Sequence, residues 1–158
     1  MFKNHVIIPS AKKVPIELEV ELGPIPSAII PLGGKPVLKY LIDFYKKNHF
    51  SISVSVQESK NEIIDYLEST NNNILYIDQI KNSSTLGNTI YESLNKLEYG
   101  VKKLVINFAD TLSDFKILDS DTIFYSEINE KYRWTTFKLN NDNKLTNICD
   151  KFNFDDTN

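Results

Sequence analysis

Asp110 follows the apolar run Leu104-Val105-Ile106-Asn107-Phe108 after Ala109. A carboxylate at the end of a strand is held on rigid backbone and faces the crevice in which open α/β sheets bind ligands. Such a group suits Mg²⁺, a hard ion usually shared between one or two carboxylates and substrate phosphates. The same residue type also closes an Asx-turn, or caps a helix starting at Leu112 or Ser113. Lys12 and Lys13 follow the first apolar run, Val6-Ile7-Ile8-Pro9. As point charges they could hold phosphate, although two lysines in a surface loop also occur with no ligand. Gln79 carries an amide that can pair with a base edge. Gly87, in Leu86-Gly87-Asn88-Thr89, allows a flat base to approach the backbone. A loop and an ordinary helix start would read the same way. His5 and His49 have no second His, Cys or carboxylate at ligand spacing, so both are read as structural. Cys149 is read as a buried small hydrophobe, and Trp134 with the tyrosines as packing.

These groups need elements to hold them. Val6 to Pro9 is short, β-branched and ended by proline, which predicts a buried strand. Residues 10–34 carry Pro15, Pro24, Pro26, Pro31 and the pair Gly33-Gly34. A long irregular connection of this kind is often functional. Within it, Ile16-Glu17-Leu18-Glu19-Val20-Glu21-Leu22 alternates strictly and predicts a short edge strand with a carboxylate face. Pro36 suits a first helical turn. Val37, Leu38, Leu41, Ile42 and Tyr45 follow at helical spacing, and Lys46 and Lys47 close that helix favourably for its dipole. Ile52 to Val56 predicts a strand. A helix capped by Ser59 or Asn61 and carrying Ile63, Ile64 and Leu67 comes next. Ile74 to Ile77 predicts a third strand and Thr85 to Leu97 a third helix. Leu104 to Phe108 predicts a fourth strand, central because it is almost wholly apolar. Strands alternating with helices describe an α/β sheet with right-handed crossovers. Beyond Asp114, Thr122 to Glu127, Arg133 to Leu139 and Lys144 to Cys149 read as strands. Asn140-Asn141-Asp142-Asn143 is the polar turn between the last two.

Composition narrows the partners. The chain has 158 residues, 41% hydrophobic and 25% charged, enough for one globular domain with a real core. Nine Phe and eight Tyr argue against a disordered tail. A formal net charge of −3 disfavours nucleic acid and anionic membrane as partners. The single cysteine excludes an intramolecular disulfide. No apolar run approaches roughly 18 residues, and the first residues lack the long apolar core of a signal peptide. A cytoplasmic domain is expected.

The order of segments resembles the sugar-1-phosphate nucleotidyltransferases. Ile25-Pro26-Ser27-Ala28-Ile29-Ile30-Pro31-Leu32-Gly33-Gly34-Lys35-Pro36-Val37-Leu38 looks like the family's "PKALLPVNGKPLL". Leu86-Gly87-Asn88-Thr89-Ile90 looks like "LGTAGAL", and Val105-Ile106-Asn107-Phe108-Ala109-Asp110 looks like "LVLNGD". Lys144 to Lys151 looks like the end of "dxdGrIxxixEK". The resemblance implies a Rossmann-like, three-layer α/β/α fold with a mixed, mainly parallel sheet, the nucleotide-diphospho-sugar transferase fold. It implies that 1–158 is one nucleotidyltransferase-like domain, corresponding to the N-terminal part of a longer protein. It also implies Mg²⁺, with an NTP and a sugar phosphate as substrates and pyrophosphate as product. Asp110 would bind the metal and Lys151 would contact the sugar phosphate. Gln79, Gly87 and Asn88 would contact the base. Lys12 and Lys13 would neutralise phosphate, with Ser10 and Ala11 small enough for close approach. A homo-oligomer or a fused catalytic partner remains open. Precursor synthesis for surface polysaccharide is the implied setting.

Two features depart from the family: its members usually continue well beyond this point, and one loop differs. The loop "GxGTRLxPLT" is replaced by Ile8-Pro9-Ser10-Ala11-Lys12-Lys13-Val14-Pro15, without the glycines that wrap a triphosphate or the arginine that neutralises it. Ser27 replaces the lysine of "PKA", and Glu17, Glu19 and Glu21 bring negative charge nearby. Two alternatives therefore stand beside the transferase. One is a non-catalytic domain of this fold. The other is a glycosyltransferase of the related fold, whose Asp-x-Asp spelling occurs at Asp119-Ser120-Asp121.

Overall fold

The computed structural model describes residues 3–10, 12–57, 61–69, 75–80, 85–98, 100–113, 116, 121–127 and 135–149. Among these, the elements are β1 (Lys3–Pro9), α1 (Ile16–Leu22), a 3₁₀ turn (Ser27–Ile29), β2 (Pro31–Leu32), β3 (Lys35–Pro36), α2 (Val37–Lys47) and β4 (Ser51–Gln57). They continue with α3 (Asn61–Ser69), β5 (Leu75–Ile80), α4 (Leu86–Asn95), β6 (Val101–Ile106), β7 (Thr136–Leu139) and β8 (Leu145–Cys149). The chain divides into two compact units, Met1–Ile117 and Leu118–Asn158.

The first unit is built on a four-stranded sheet in the order β5-β4-β1-β6. All its pairings are parallel. Register places Val6 beside Ile52 and Ile8 beside Val54, so one face of the sheet is continuous aliphatic surface. On it sit Leu38, Leu41, Ile42 and Tyr45 of α2 and Ile63 and Leu67 of α3, forming the core. Each fully buried aliphatic side chain of this kind stabilises the fold by roughly 1.5–3 kcal/mol. The other face is different in kind. His5, Ser53 and Ser55 are buried there. Ser55 shares a hydrogen bond of 2.6 Å with Ser93 of α4, and His5 Nε2 lies 3.0 Å from Ser53 Oγ. Helices therefore cover both faces and the architecture is three-layered.

Chain direction matters for function. From β1 the chain moves outward to β4 and β5 with α2 and α3 on one face. It then returns through α4, on the opposite face, to β6 on the far side of β1. Right-handed crossovers require that change of face when strand order reverses. The reversal lies between β1 and β6, and ligands bind at such a switch point beyond the strands' C-terminal ends.

Three expectations are corrected. Ile16 to Leu22 is helical, not an edge strand. Pro15 precedes it, and its carbonyl accepts from Leu18 and Glu19 N–H. Glu17 and Glu19 lie in the first turn, where the dipole favours carboxylates. Gly23, at φ 74°, ends the helix. Among the described residues no partner strand selects the extended form, so good helix formers prevail. Second, among the described residues β6 is an edge strand, paired only with β1. Its burial alternates, and Leu104 and Ile106 are exposed. An unbroken apolar run identifies a strand without telling a middle position from an edge. Third, Thr122 to Glu127 forms no strand and is exposed throughout.

The second unit contains the β7–β8 hairpin, antiparallel as expected. Asn140 Oδ1 accepts from the N–H groups of Asp142 (3.0 Å) and Lys144 (2.9 Å), so its side chain builds the turn. Tyr125 meets Phe137 edge to face, with centroids 5.3 Å apart. Cys149 is half-buried, not buried. Trp134, Asp119 and Ser120 lie outside the described residues.

Candidate active site at the switch point

β1 and β6 are hydrogen-bonded neighbours, and their continuations stay together past the strand ends. Asn107 N–H donates to the Ile7 carbonyl at 3.1 Å, and Ala109 N–H to the Pro9 carbonyl at 3.2 Å. This carries Asp110 alongside the loop that follows β1. Lys12 Nζ lies 3.3 Å from Asp110 Oδ2. Two candidates separated by 98 positions in the chain are thus brought into one ion pair. The Asp110 side chain is 29% exposed and that of Lys12 is 72% exposed. So exposed a lysine makes a weak pair, worth about 0–1 kcal/mol, and can be drawn to a competing anion.

Both loops are clamped from behind. Ser10 N–H donates to the Ser55 carbonyl (2.9 Å), and the buried Ser10 hydroxyl donates to the Ile8 carbonyl (3.1 Å). Ser27 holds the Lys12 carbonyl twice, through its backbone N–H at 2.9 Å and its hydroxyl at 3.0 Å. Ser27 therefore shapes the Lys12 loop. Lys13 forms a bridge to Pro26 and its side chain is exposed. Glu17 and Glu21 are exposed on α1. Asp110 sits in a turn closed by Thr111 N–H to the Phe108 carbonyl at 3.1 Å. No helix begins at Leu112 or Ser113.

Of the base-contact candidates, Gln79 is at the C-terminal end of β5, across the sheet from β6, and among the described residues no hydrogen bond or ion pair joins the candidates to the Lys12–Asp110 pair. Gln79 is next to last in β5, in register with Val56. Gly87 and Asn88 are in the first turn of α4, whose cap is Thr85. The Thr85 hydroxyl accepts from Asn88 N–H at 3.2 Å. A Cβ built on Gly87 would meet nothing within 4 Å, so packing does not demand glycine there. Ala11 and Lys151 lie outside the described residues.

The donor set limits the metal chemistry. Among the described residues there is no group of three or more His, Cys, Asp or Glu able to hold an ion. Asp110 stands as a single, partly exposed carboxylate. It fits a Mg²⁺ shared with substrate phosphates and does not fit an all-protein cage.

No protein-family model matches the chain. Among solved structures, HddC from Yersinia pseudotuberculosis superposes with a TM-score of 0.73 over 94% of this chain and 69% of its own, at 22% identity. The fold is that of HddC. HddC complexed with GMP-PN gives a TM-score of 0.70 at 21% identity. Two curated relatives named bifunctional protein GlmU are also similar in sequence. That of Methanococcus vannielii is 28% identical over 135 residues, covering 83% of this chain and 31% of its own length. That of Methanococcus maripaludis is 29% identical over 129 residues, covering 80% and 30%. The chain thus spans about a third of the length of these relatives. Together with the HddC fold, this makes it similar to sugar-1-phosphate nucleotidyltransferases as a divergent, partial match. Among the described residues, no helix is long and apolar enough to cross a membrane.

Two residues important to this geometry escape sequence reasoning. Ser27 looks like a lost lysine, and Asn107 looks like one more residue of an apolar run. Only contacts across the fold reveal what they do.

Proposed function

We propose that the chain is a nucleotidyltransferase domain that joins the nucleotidyl group of an NTP to a sugar 1-phosphate or another small phosphate. An acceptor phosphate oxygen bonds to the α-phosphorus, the bond to the bridging oxygen breaks, and pyrophosphate leaves with the electron pair. The meeting of Lys12 and Asp110 at the switch point carries this reading. Asp110 would hold Mg²⁺ together with substrate phosphates. When bound, the ion neutralises phosphate charge. Lys12 and Lys13 supply further positive charge, and Ser10 and Ala11 leave room for the phosphates. Gln79, Gly87 and Asn88 contact the base, and Lys151 the acceptor phosphate. Catalysis of this kind rests on positioning and charge stabilisation, so no protein nucleophile is needed. The setting is cytoplasmic nucleotide-sugar synthesis for surface polysaccharide.

The test is pyrophosphate release and titration calorimetry with CTP, UTP, GTP, ATP and dTTP plus Mg²⁺. Binding of at least one NTP is expected, with release abolished by Asp110→Asn. No binding by any NTP at millimolar concentration would sink the proposal. The loop without the glycines or the arginine favours a second reading, a non-catalytic domain of the same fold. NTP binding without pyrophosphate release, across a range of sugar phosphates, would select it.

A further inference from the structure

Asn107 is buried at the end of β6, and each arm of its amide is engaged. Nδ2 donates to the Phe108 carbonyl (2.9 Å) and to the Thr111 carbonyl (3.0 Å). Carbonyl oxygens only accept, so the NH₂ must face them and Oδ1 must face the other way. There it accepts from the Tyr45 hydroxyl at 2.9 Å. Tyr45 is fully buried and its ring is fixed edge to face by Phe44 and Phe50, at 5.1 and 5.5 Å. Burial pushes its hydroxyl up to about 12, so it stays a donor at any working pH. The two carbonyls held by Asn107 are the first and last of the turn that presents Asp110. The Thr111 hydroxyl in turn lies 3.3 Å from Asp110 Oδ1.

We propose that Asn107, oriented by Tyr45 of α2, is a positioning residue that fixes the Asp110 carboxylate at the switch point. This rests on the reading of Asp110 as the Mg²⁺-binding group. Tyr45 belongs to the hydrophobic core, so the core sets the angle of a group at the site through one amide. Partners that orient a metal-binding group typically change metal affinity 10- to 100-fold when removed. Asn107→Asp tests the donors in particular: it keeps the shape and sets a carboxylate oxygen against two carbonyls.

The experiment uses the full chain with Mn²⁺ in place of Mg²⁺. Free Mn²⁺ is counted by electron paramagnetic resonance with each of the five NTPs. Hydrogen exchange at Thr111 N–H reports the turn. Asn107→Ala and Asn107→Asp are expected to weaken Mn²⁺·NTP binding about 10- to 100-fold and to strip Thr111 of protection. Tyr45→Phe should do both to a smaller degree while keeping a cooperative melt. A lower melting temperature with wild-type affinity in the folded protein overturns the proposal, as does affinity loss with Thr111 still protected. Should the Asn107 variants fail to fold, Tyr45→Phe decides on the same two readouts. Asp110→Asn separates the layers. If it binds like wild type, or if wild type binds nothing, the Asp110 reading falls and takes this proposal with it. If it loses binding while folded Asn107 variants keep theirs, only the positioning role falls.

Discussion

At the level of single side chains, His5 is neutral in the folded protein because burial penalises its charged form. Its imidazole is held down to about 4 from an ordinary 6.5, against Ser53. The folded state therefore resists the proton that the unfolded chain accepts. Stability from this group is full above pH 6.5 and is lost progressively as pH falls toward 4. The loss reaches about 3 kcal/mol at about 1.4 kcal/mol per unit. Urea melts at pH 7.5 and 4.0 should show that difference, and His5→Gln should remove most of it. An unchanged pH dependence in the variant would show that other groups carry the acid sensitivity. Asp110 and Lys12 stand out as candidates in the sequence because each comes within four residues of the end of an apolar strand, a place where a polar residue reads as a site. Asn107 does not, because its meaning depends on Tyr45, 62 positions away, and no local pattern encodes that contact.

Elements were legible where period and boundary signals agree. The helix predicted from Val37 onward runs to Lys47, with all five expected apolar residues buried. Pro36 sits just before it, at the cap. The predicted helix from Thr85 is observed as Leu86–Asn95, with Thr85 as cap. Its buried face is Thr89 and Ser93, not the leucines, because it packs on the serine face of the sheet. Alternation misleads at Ile16–Leu22, since these seven residues have no partner strand among the described residues. The start of α4 also carries a prediction. Gly87 meets open space at a helical position, so Gly87→Ala should stabilise α4 by up to about 1 kcal/mol. If a base lies against its backbone, the same methyl group weakens NTP binding. A variant that melts higher and binds less well supports the contact. One that melts higher and binds equally removes Gly87 from the site.

For the whole molecule, the decisive fact is where the core of the described residues lies. Its members run from Val6 to Ala109, all within the unit Met1–Ile117. The candidate site groups Lys12 and Asp110, and the clamps Ser27, Tyr45 and Asn107, belong to the same unit. Residues 121–127, by contrast, are exposed, and the hairpin has its own ladder and its own turn. A chain of about this size buries roughly two-thirds of its surface on folding, sufficient for independent stability. Residues 1–117 expressed alone should therefore melt cooperatively and keep Thr111 N–H protected. Their weak point is β6, where Leu104 and Ile106 are exposed on a strand that, among the described residues, pairs on one side. Unpaired apolar edges promote association, so the fragment should self-associate at high concentration, and Ile106→Lys should suppress this without changing the melt. Loss of cooperative unfolding in the monomeric fragment would mean that residues beyond 117 complete the fold, and the site would then have to be sought across the whole chain.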